Sequence, residues 1–420
     1  QRLIYFTAME SQELIPHLFR TEYRKITAVL SKTFGLEHIE IAQDIASDTF
    51  LQASEMWGIK GVPDNPVAWL YTVARNKTLD YLRRDKLFKE KVRGQVVRDS
   101  SAGKEVSLDL SSQNITDSQL QMMFAICHPA LPIESQIGLA LNVLCGFGIN
   151  EIASAFLTSK ETINKRLYRA REKLRAEQVK MEFPAEADIE SRLEAVLKTL
   201  YLLFNEGYYS AGKDVTLRKD VCIEAMWLTK MLTENPGTGR PPVNALLALM
   251  CFHASRFEAR TNTQGETVLY EDQDDSLWDA TLISRGEYYL NRASVGRQLS
   301  RYHLEAAIGY WHTIKADTPE KWEHILQYYN ELLILEYSPI AALNRTYALA
   351  KARSKREAIR EAEKLNLGEI HLYHSLLGEL YLGIDDGKAL ECFKTALSLA
   401  KSRADRQLLE GKIGRLYGQK

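Results

Sequence analysis

The 420 residues are 45% hydrophobic and 26% charged, an ordinary globular balance with room for two to four domains. No apolar run approaches the ~18 residues of a membrane span, and Leu3 to Thr7 is too short for a signal-peptide core, so a cytoplasmic protein with no membrane association is expected. The net charge is −1, and residues 1–180 carry 24 Lys and Arg against 21 Asp and Glu, leaving 30 against 34 for the rest; this excludes a strongly basic binder and confines nucleic-acid affinity to local patches.

Met9 reads as the natural start, with the first eight residues an extension. A helical pattern then runs from Leu14 to Phe34 through Leu18, Tyr23, Ile26, Val29 and Leu30. A second, about Ile39 to Trp57, turns Ile41, Ile45 and Phe50 inward and sets Asp44 and Asp48 on a separate acidic line. From Gly61 to Pro66 two prolines, Pro63 and Pro66, and the Asp64-Asn65 pair make a rigid, non-helical loop, and Pro66 suits the first turn of a helix because its missing N–H needs no partner there. On that helix Leu70, Val73, Ala74 and Tyr81 share one face; Thr72, Arg75, Asn76 and Arg83 share the other. With Asn65, Trp69 and Tyr71 nearby, the second face can hold a nucleic-acid backbone and contact unpaired bases.

Periodicity fades between about Val97 and Thr116, the mark of a linker, and resumes in helices ending at His128-Pro129 and covering Glu134 to Cys145. Asn150 reads as an N-cap with Ile152, Ala155 and Phe156 buried behind it; Ser159 reads as the cap of a further helix, Lys160 to Ala176. Ile163, Leu167, Ala170 and Leu174 form its apolar stripe, and residues 160–175 hold seven basic side chains against two acidic. Two short helices with a cationic second member describe a helix-turn-helix. Lys160, Glu161, Thr162, Asn164 and Lys165, at its start, are the candidates for reading base edges; Arg166, Arg169, Arg171 and Lys173 are the candidates for phosphates.

Two of these stretches resemble one family. The pattern Pro66-x-Ala68-Trp69-Leu70-x-x-x-Ala74-Arg75-Asn76-x-x-x-Asp80-x-Leu82-Arg83-Arg84 resembles the promoter −10 reading segment of extracytoplasmic-function sigma factors, the alternative specificity subunits of bacterial RNA polymerase. Asn150-Glu151-Ile152-Ala153, followed by Thr162-Ile163-x-x-Arg166-Leu167-x-Arg169-Ala170-Arg171-x-Lys173-Leu174, resembles their −35 reading domain. The resemblance implies an all-α protein with a sigma-2 domain at 10–88, a linker at 89–116 that threads through the polymerase, and a helix-turn-helix sigma-4 domain at 117–180. It implies core RNA polymerase and promoter DNA as partners, no cofactor and no enzymatic activity. Asp44, Asp48 and Phe50 would meet the clamp helices of the polymerase β′ subunit, although Ser47 stands where the family commonly has Gln.

Tyr201-Leu-Leu-Phe204-Asn205-Glu206-Gly207-Tyr208-Tyr209-Ser210, together with Cys127-His128-Pro129-Ala130-Leu131 and the Gly61 to Asn65 loop, is similar to a subgroup with a long C-terminal extension, which begins at the Phe183-Pro184 junction and is divided here into 184–290 and 291–420. Asn205-Glu206-Gly207-Tyr208 reads as a glycine turn after a helix, in preference to an active-site loop, and Thr261 to Asp275 as an exposed connector. His253, His303 and His312 sit among apolar helical residues and read as core-edge. Leu377-Gly378-x-x-Tyr381 with Ala389, Phe393 and Ala396 resembles a tetratricopeptide repeat, and Ala341 to Leu365 is a looser copy with Asn344, Tyr347 and Ala358, so a peptide or protein ligand is expected. The five cysteines, Cys127, Cys145, Cys222, Cys251 and Cys392, lack metal-ligand spacing and read as reduced core thiols, with no metal. The rival readings are a stand-alone helix-turn-helix regulator with a helical sensor domain, and a bifunctional protein with an enzymatic C-terminal half. A deep pocket with converging titratable groups around Asn205 to Tyr209 would favour the latter.

Overall fold

The computed structural model describes residues 11–93, 108–156, 158–209, 218–262, 268–296, 299–401 and 403–418, and among them the regular elements are all helical. The chain divides into two units, residues 1–199 and 200–420.

In the first unit α1 (Ser11–Phe34), α2 (Ile39–Lys60) and α3 (Pro66–Arg93) pack around Leu18, Ile26, Leu30, Ala42, Ile45, Phe50, Leu70 and Ala74. Gly61 ends α2 with a φ of 80°, a left-handed conformation that glycine adopts without strain. Asn65 starts α3 by accepting a 3.0 Å bond from the Ala68 N–H.

The expected linker is shorter than its polarity suggests. Helix α4 (Ser112–Ile126) begins inside it, capped by the Ser111 hydroxyl, and Leu108 and Ile115 are buried in the α1–α3 core. Two apolar side chains in a polar stretch are too few to register as periodicity, yet enough to anchor it.

A second layer follows with α5 (Ile133–Leu139), α6 (Ile149–Ala155) and α7 (Lys160–Ala176). Here the N-cap expectation for Asn150 is corrected: Gly148 occupies that place, and the Glu151 carboxylate accepts its N–H at 2.7 Å. Ser159 does cap α7, accepting from the Thr162 N–H at 3.2 Å.

Helix α8 (Ile189–Tyr209) contains the division between the units, so the boundary lies well past Phe183-Pro184. Its first half belongs to the first unit. Arg192 Nη2 donates to the Phe124 carbonyl at 2.6 Å, near the C-terminus of α4, and Thr199 Oγ1 donates to Gln136 Oε1 at 2.8 Å. The Gln136 amide in turn donates to the carbonyls of His128 and Leu131, fixing the turn between α4 and α5.

In the second unit α9 (Lys219–Glu234), α10 (Pro241–Ala254), α11 (Ala280–Ala293) and α12 (Arg301–Trp311) follow, and α10 is buried almost throughout. The turn expected at Gly207 is helix instead, because Gly207 lets α8 approach the start of α9: a Cβ there would stand 2.7 Å from Cys222 Sγ and 2.8 Å from the Arg218 carbonyl. The connector expected at Thr261–Asp275 is in part wall, with Gln273 buried and Tyr270 half-buried.

The rest is a run of helices, α13 (Pro319–Leu335), α14 (Pro339–Ala352), α15 (Lys355–Lys364), α16 (His371–Tyr381), α17 (Asp386–Leu399) and α18 (Arg403–Gly418). They share a core that includes Ile325, Leu349, Ala358, Leu377, Ala389, Phe393 and Ala396. The Phe393 ring lies against Gly378, where a Cβ would come within 2.5 Å of it. All five cysteines are free and four are buried, with the thiols of Cys127, Cys222 and Cys251 pushed up to about 12 by burial. His303 is buried, its Nδ1 accepting the Ser300 N–H at 3.1 Å.

Candidate nucleic-acid interface

Helix α3 separates its faces as its periodicity requires. Leu70, Ala74 and Thr78 are buried; Thr72, Arg75, Asn76, Arg83 and Arg84 are exposed. Thr78 is reconciled with the core by donating its hydroxyl to the Ala74 carbonyl at 2.7 Å. Trp69 is half-buried, edge-on to Trp57 at 5.4 Å, and Asn65 is exposed as well as being the cap. Tyr71 belongs to the packing, since its hydroxyl donates to Glu22 Oε2 at 2.6 Å, and burial with that neighbouring carboxylate raises its pKa. The outer row is therefore three cations, an amide and a hydroxyl on a helix whose other side is sealed.

On α2, Asp44, Ser47 and Asp48 are exposed and Glu55 follows on the same side. Leu51, between them, is 59% exposed, and Ile59, one turn past Glu55, is 85% exposed. The outward side of α2 thus carries acidic side chains with two bare aliphatics among them. The sequence reading missed Leu51 and Ile59 because an apolar residue on a mostly polar stripe carries no periodic signal. Asp48 lies 4.0 Å from Lys77 of α3, a surface pair of small worth. Phe50 is corrected: it is buried in the core with its ring 5.1 Å from Phe19, so it shapes α2 from within and presents no surface.

Helix α7 buries Ile163, Leu167, Ala170 and Leu174 and exposes Lys160, Glu161, Thr162, Asn164, Lys165 and Arg169. Arg166 is half-buried, its guanidinium 5.7 Å from the centre of the Phe156 ring. Tyr168 is 65% exposed beside Arg169, an aromatic on the outward side that the sequence reading did not include among the contacts. The Glu161 carboxylate is held below its ordinary pKa by backbone N–H and Ser159 hydrogen bonds at the helix start.

Arg171 has other surroundings than its sequence position suggests. Its Nη2 donates to Gln43 Oε1 and to Asn142 Oδ1, both at 2.9 Å, and Glu40 lies 3.7 Å from its Nη1. Arg175 Nη2 donates to the Glu37 carbonyl at 2.7 Å. The second half of α7 is thus tied to the start of α2 and the turn before it, while the first half stays open.

Over residues 18–87 the chain matches the family model described as Sigma-70 region 2, and over 61–180 the one described as ECF sigma factor. Residues 192–294 match a family of unknown function, DUF6596. Uncharacterized protein R00370 of Rhizobium meliloti (strain 1021) is 31% identical over 390 residues, covering 91% of each chain. No solved structure matches.

Proposed function

Because the chain belongs to the extracytoplasmic-function sigma factors, alternative subunits that direct RNA polymerase in promoter-specific transcription initiation, we propose that each of its exposed rows has a separate task in that work. Thr72, Arg75, Asn76 and Arg83, with Asn65 and Trp69 at the helix entrance, take the −10 element and help hold it open. Lys160, Glu161, Thr162, Asn164 and Lys165 read the −35 element, and Arg166 and Arg169 hold its phosphates. Asp44 and Asp48, with Leu51 between their line and Glu55, dock on the clamp helices of the polymerase β′ subunit.

The observation that carries this reading is the two-faced α3, whose cations and amide are exposed while its other side is locked into the α1–α3 core. A helix that only solubilised the surface would need no amide and hydroxyl in register with its arginines. The protein acts in the cytoplasm, with core polymerase. Its extension regulates the sigma domains: the first half of α8 packs on the helix-turn-helix layer through Arg192 and Thr199, which supports a structural hold on that layer. The helix pairs from α14 to α17, with Gly378 against Phe393, support the tetratricopeptide-like reading of its end and a protein or peptide ligand there.

The test is reconstitution. Core RNA polymerase mixed with the purified chain and a library of promoter fragments should start transcripts that core alone does not, and the two should co-purify. A chain that binds promoter fragments alone and never joins the polymerase would favour a stand-alone regulator.

A further inference from the structure

The second unit holds an open-mouthed cavity of about 600 Å³, within the size range of small-molecule sites, and promoter recognition makes no use of it. Tyr208 of α8 lines it, as do His253 at the end of α10 and Arg256 in the turn that follows. Tyr270 and His312 complete the polar side, and Ile308 and Leu332 offer apolar wall.

Arg256 is the telling group. It is 8% exposed, its guanidinium lies 5.3 Å from the centre of the Tyr270 ring, and its buried Nε meets no hydrogen-bond acceptor among the described residues. The carboxylates at the cavity, Glu305 and Glu336, are both engaged by Arg301, at 2.8 and 2.7 Å. Arg260 adds a second cation, 3.9 Å over the Tyr208 ring. Nδ1 of His253 and Nδ1 of His312 are likewise buried without a partner among the described residues. Burial and the Arg256 charge hold both imidazoles neutral; the His312 pKa is brought down to about 3, with Lys321 contributing.

A buried guanidinium with an unmade bond is costly to the protein that keeps it. An anion entering the cavity would supply the missing acceptor, and the two neutral imidazoles can donate or accept without repelling it. The tyrosine rings and aliphatic side chains would cover an organic body. We propose that this cavity is the binding site of a small organic anion, its carboxylate or phosphate head taken by Arg256 and its body by the tyrosine-lined wall. With the carboxylates at the cavity tied into ion pairs, the assignment is to binding and not to turnover. It stands independently of the promoter-reading assignment.

The experiment titrates the full chain with phenyl phosphate and benzoate, and with phenol and benzyl alcohol as neutral counterparts. Melting temperature and tryptophan fluorescence are followed, since Trp278 stacks 6.2 Å from Tyr270 at the site. The anions should bind saturably and raise the melting temperature, the neutral compounds at least tenfold more weakly, and Arg256→Gln should reduce anion affinity at least tenfold. Should Arg256→Gln fail to fold, the phenyl phosphate and phenol comparison on the unaltered chain decides. Equal binding of anionic and neutral probes, no saturable binding of either anion, or full affinity in a folded Arg256→Gln variant would overturn the proposal. Release of phenol from phenyl phosphate would replace binding with catalysis.

Discussion

Lys165 and Arg171 stand six residues apart on α7 and differ in everything but charge. Lys165 is exposed near the helix start; Arg171 makes two 2.9 Å hydrogen bonds to Gln43 and Asn142, and its pKa is lowered by burial. Replacing Lys165 with Ala should leave unfolding within about 0.5 kcal/mol of the parent and alter which −35 sequences are chosen. Replacing Arg171 with Ala should cost the first unit about 1–3 kcal/mol, because two half-buried acceptors lose a charged donor. Denaturant unfolding and competition among promoter fragments measure the pair, and an Arg171→Ala protein of unchanged stability would contradict the role given to its contacts. Exposure of Thr72, Arg75, Asn76 and Lys165 was legible in the sequence, since each lies opposite an apolar stripe on a long, regular helix. The engagement of Arg171 was not, because its partners are 29 and 128 positions away and hydrogen-bonding pairs leave no periodic trace.

At the level of elements, the helices with clear 3.6-residue patterns fall where the sequence puts them, and the departures occur where a single contact outweighs local pattern. Ser111 and Ile115 start α4 inside the expected linker; Gly207 keeps α8 helical by admitting a neighbouring helix. The first half of α8 completes the layer of α4 and α5 through Arg192 and Thr199, so Phe183-Pro184 lies within the first unit. Thr199→Val keeps the shape and removes the donor to Gln136, leaving a buried acceptor unsatisfied at a cost of about 1–3 kcal/mol. Hydrogen exchange of the amides between Leu131 and Ile137 should quicken, while exchange in α2 stays as it was. Equal protection of both segments in parent and variant would show that Thr199 holds nothing. This also bears on truncation: a chain cut after Met181 loses Arg192 and Thr199 together, so any loss of activity would combine regulation with a damaged helix-turn-helix layer.

For the whole molecule, the charge balance and the family agree on a protein that leans on a partner. The 24 basic and 21 acidic residues of the first 180 give too small an excess for tight DNA binding by charge alone, so the exposed cations of α3 and α7 must be presented by something that already holds the promoter. Core polymerase is that partner in sigma-factor families. In the proposed function α3, through Arg75 and Asn76, opens promoter DNA on the polymerase. Permanganate reactivity of the −10 thymines tests it most directly, measured with core polymerase and either the parent chain or the Arg75→Ala, Asn76→Ala double variant. Strong reactivity is expected with the parent and a loss of at least tenfold with the variant, at unchanged stability and core binding, as contacts worth about 1–3 kcal/mol each disappear. Reactivity that stays the same in the double variant would contradict it.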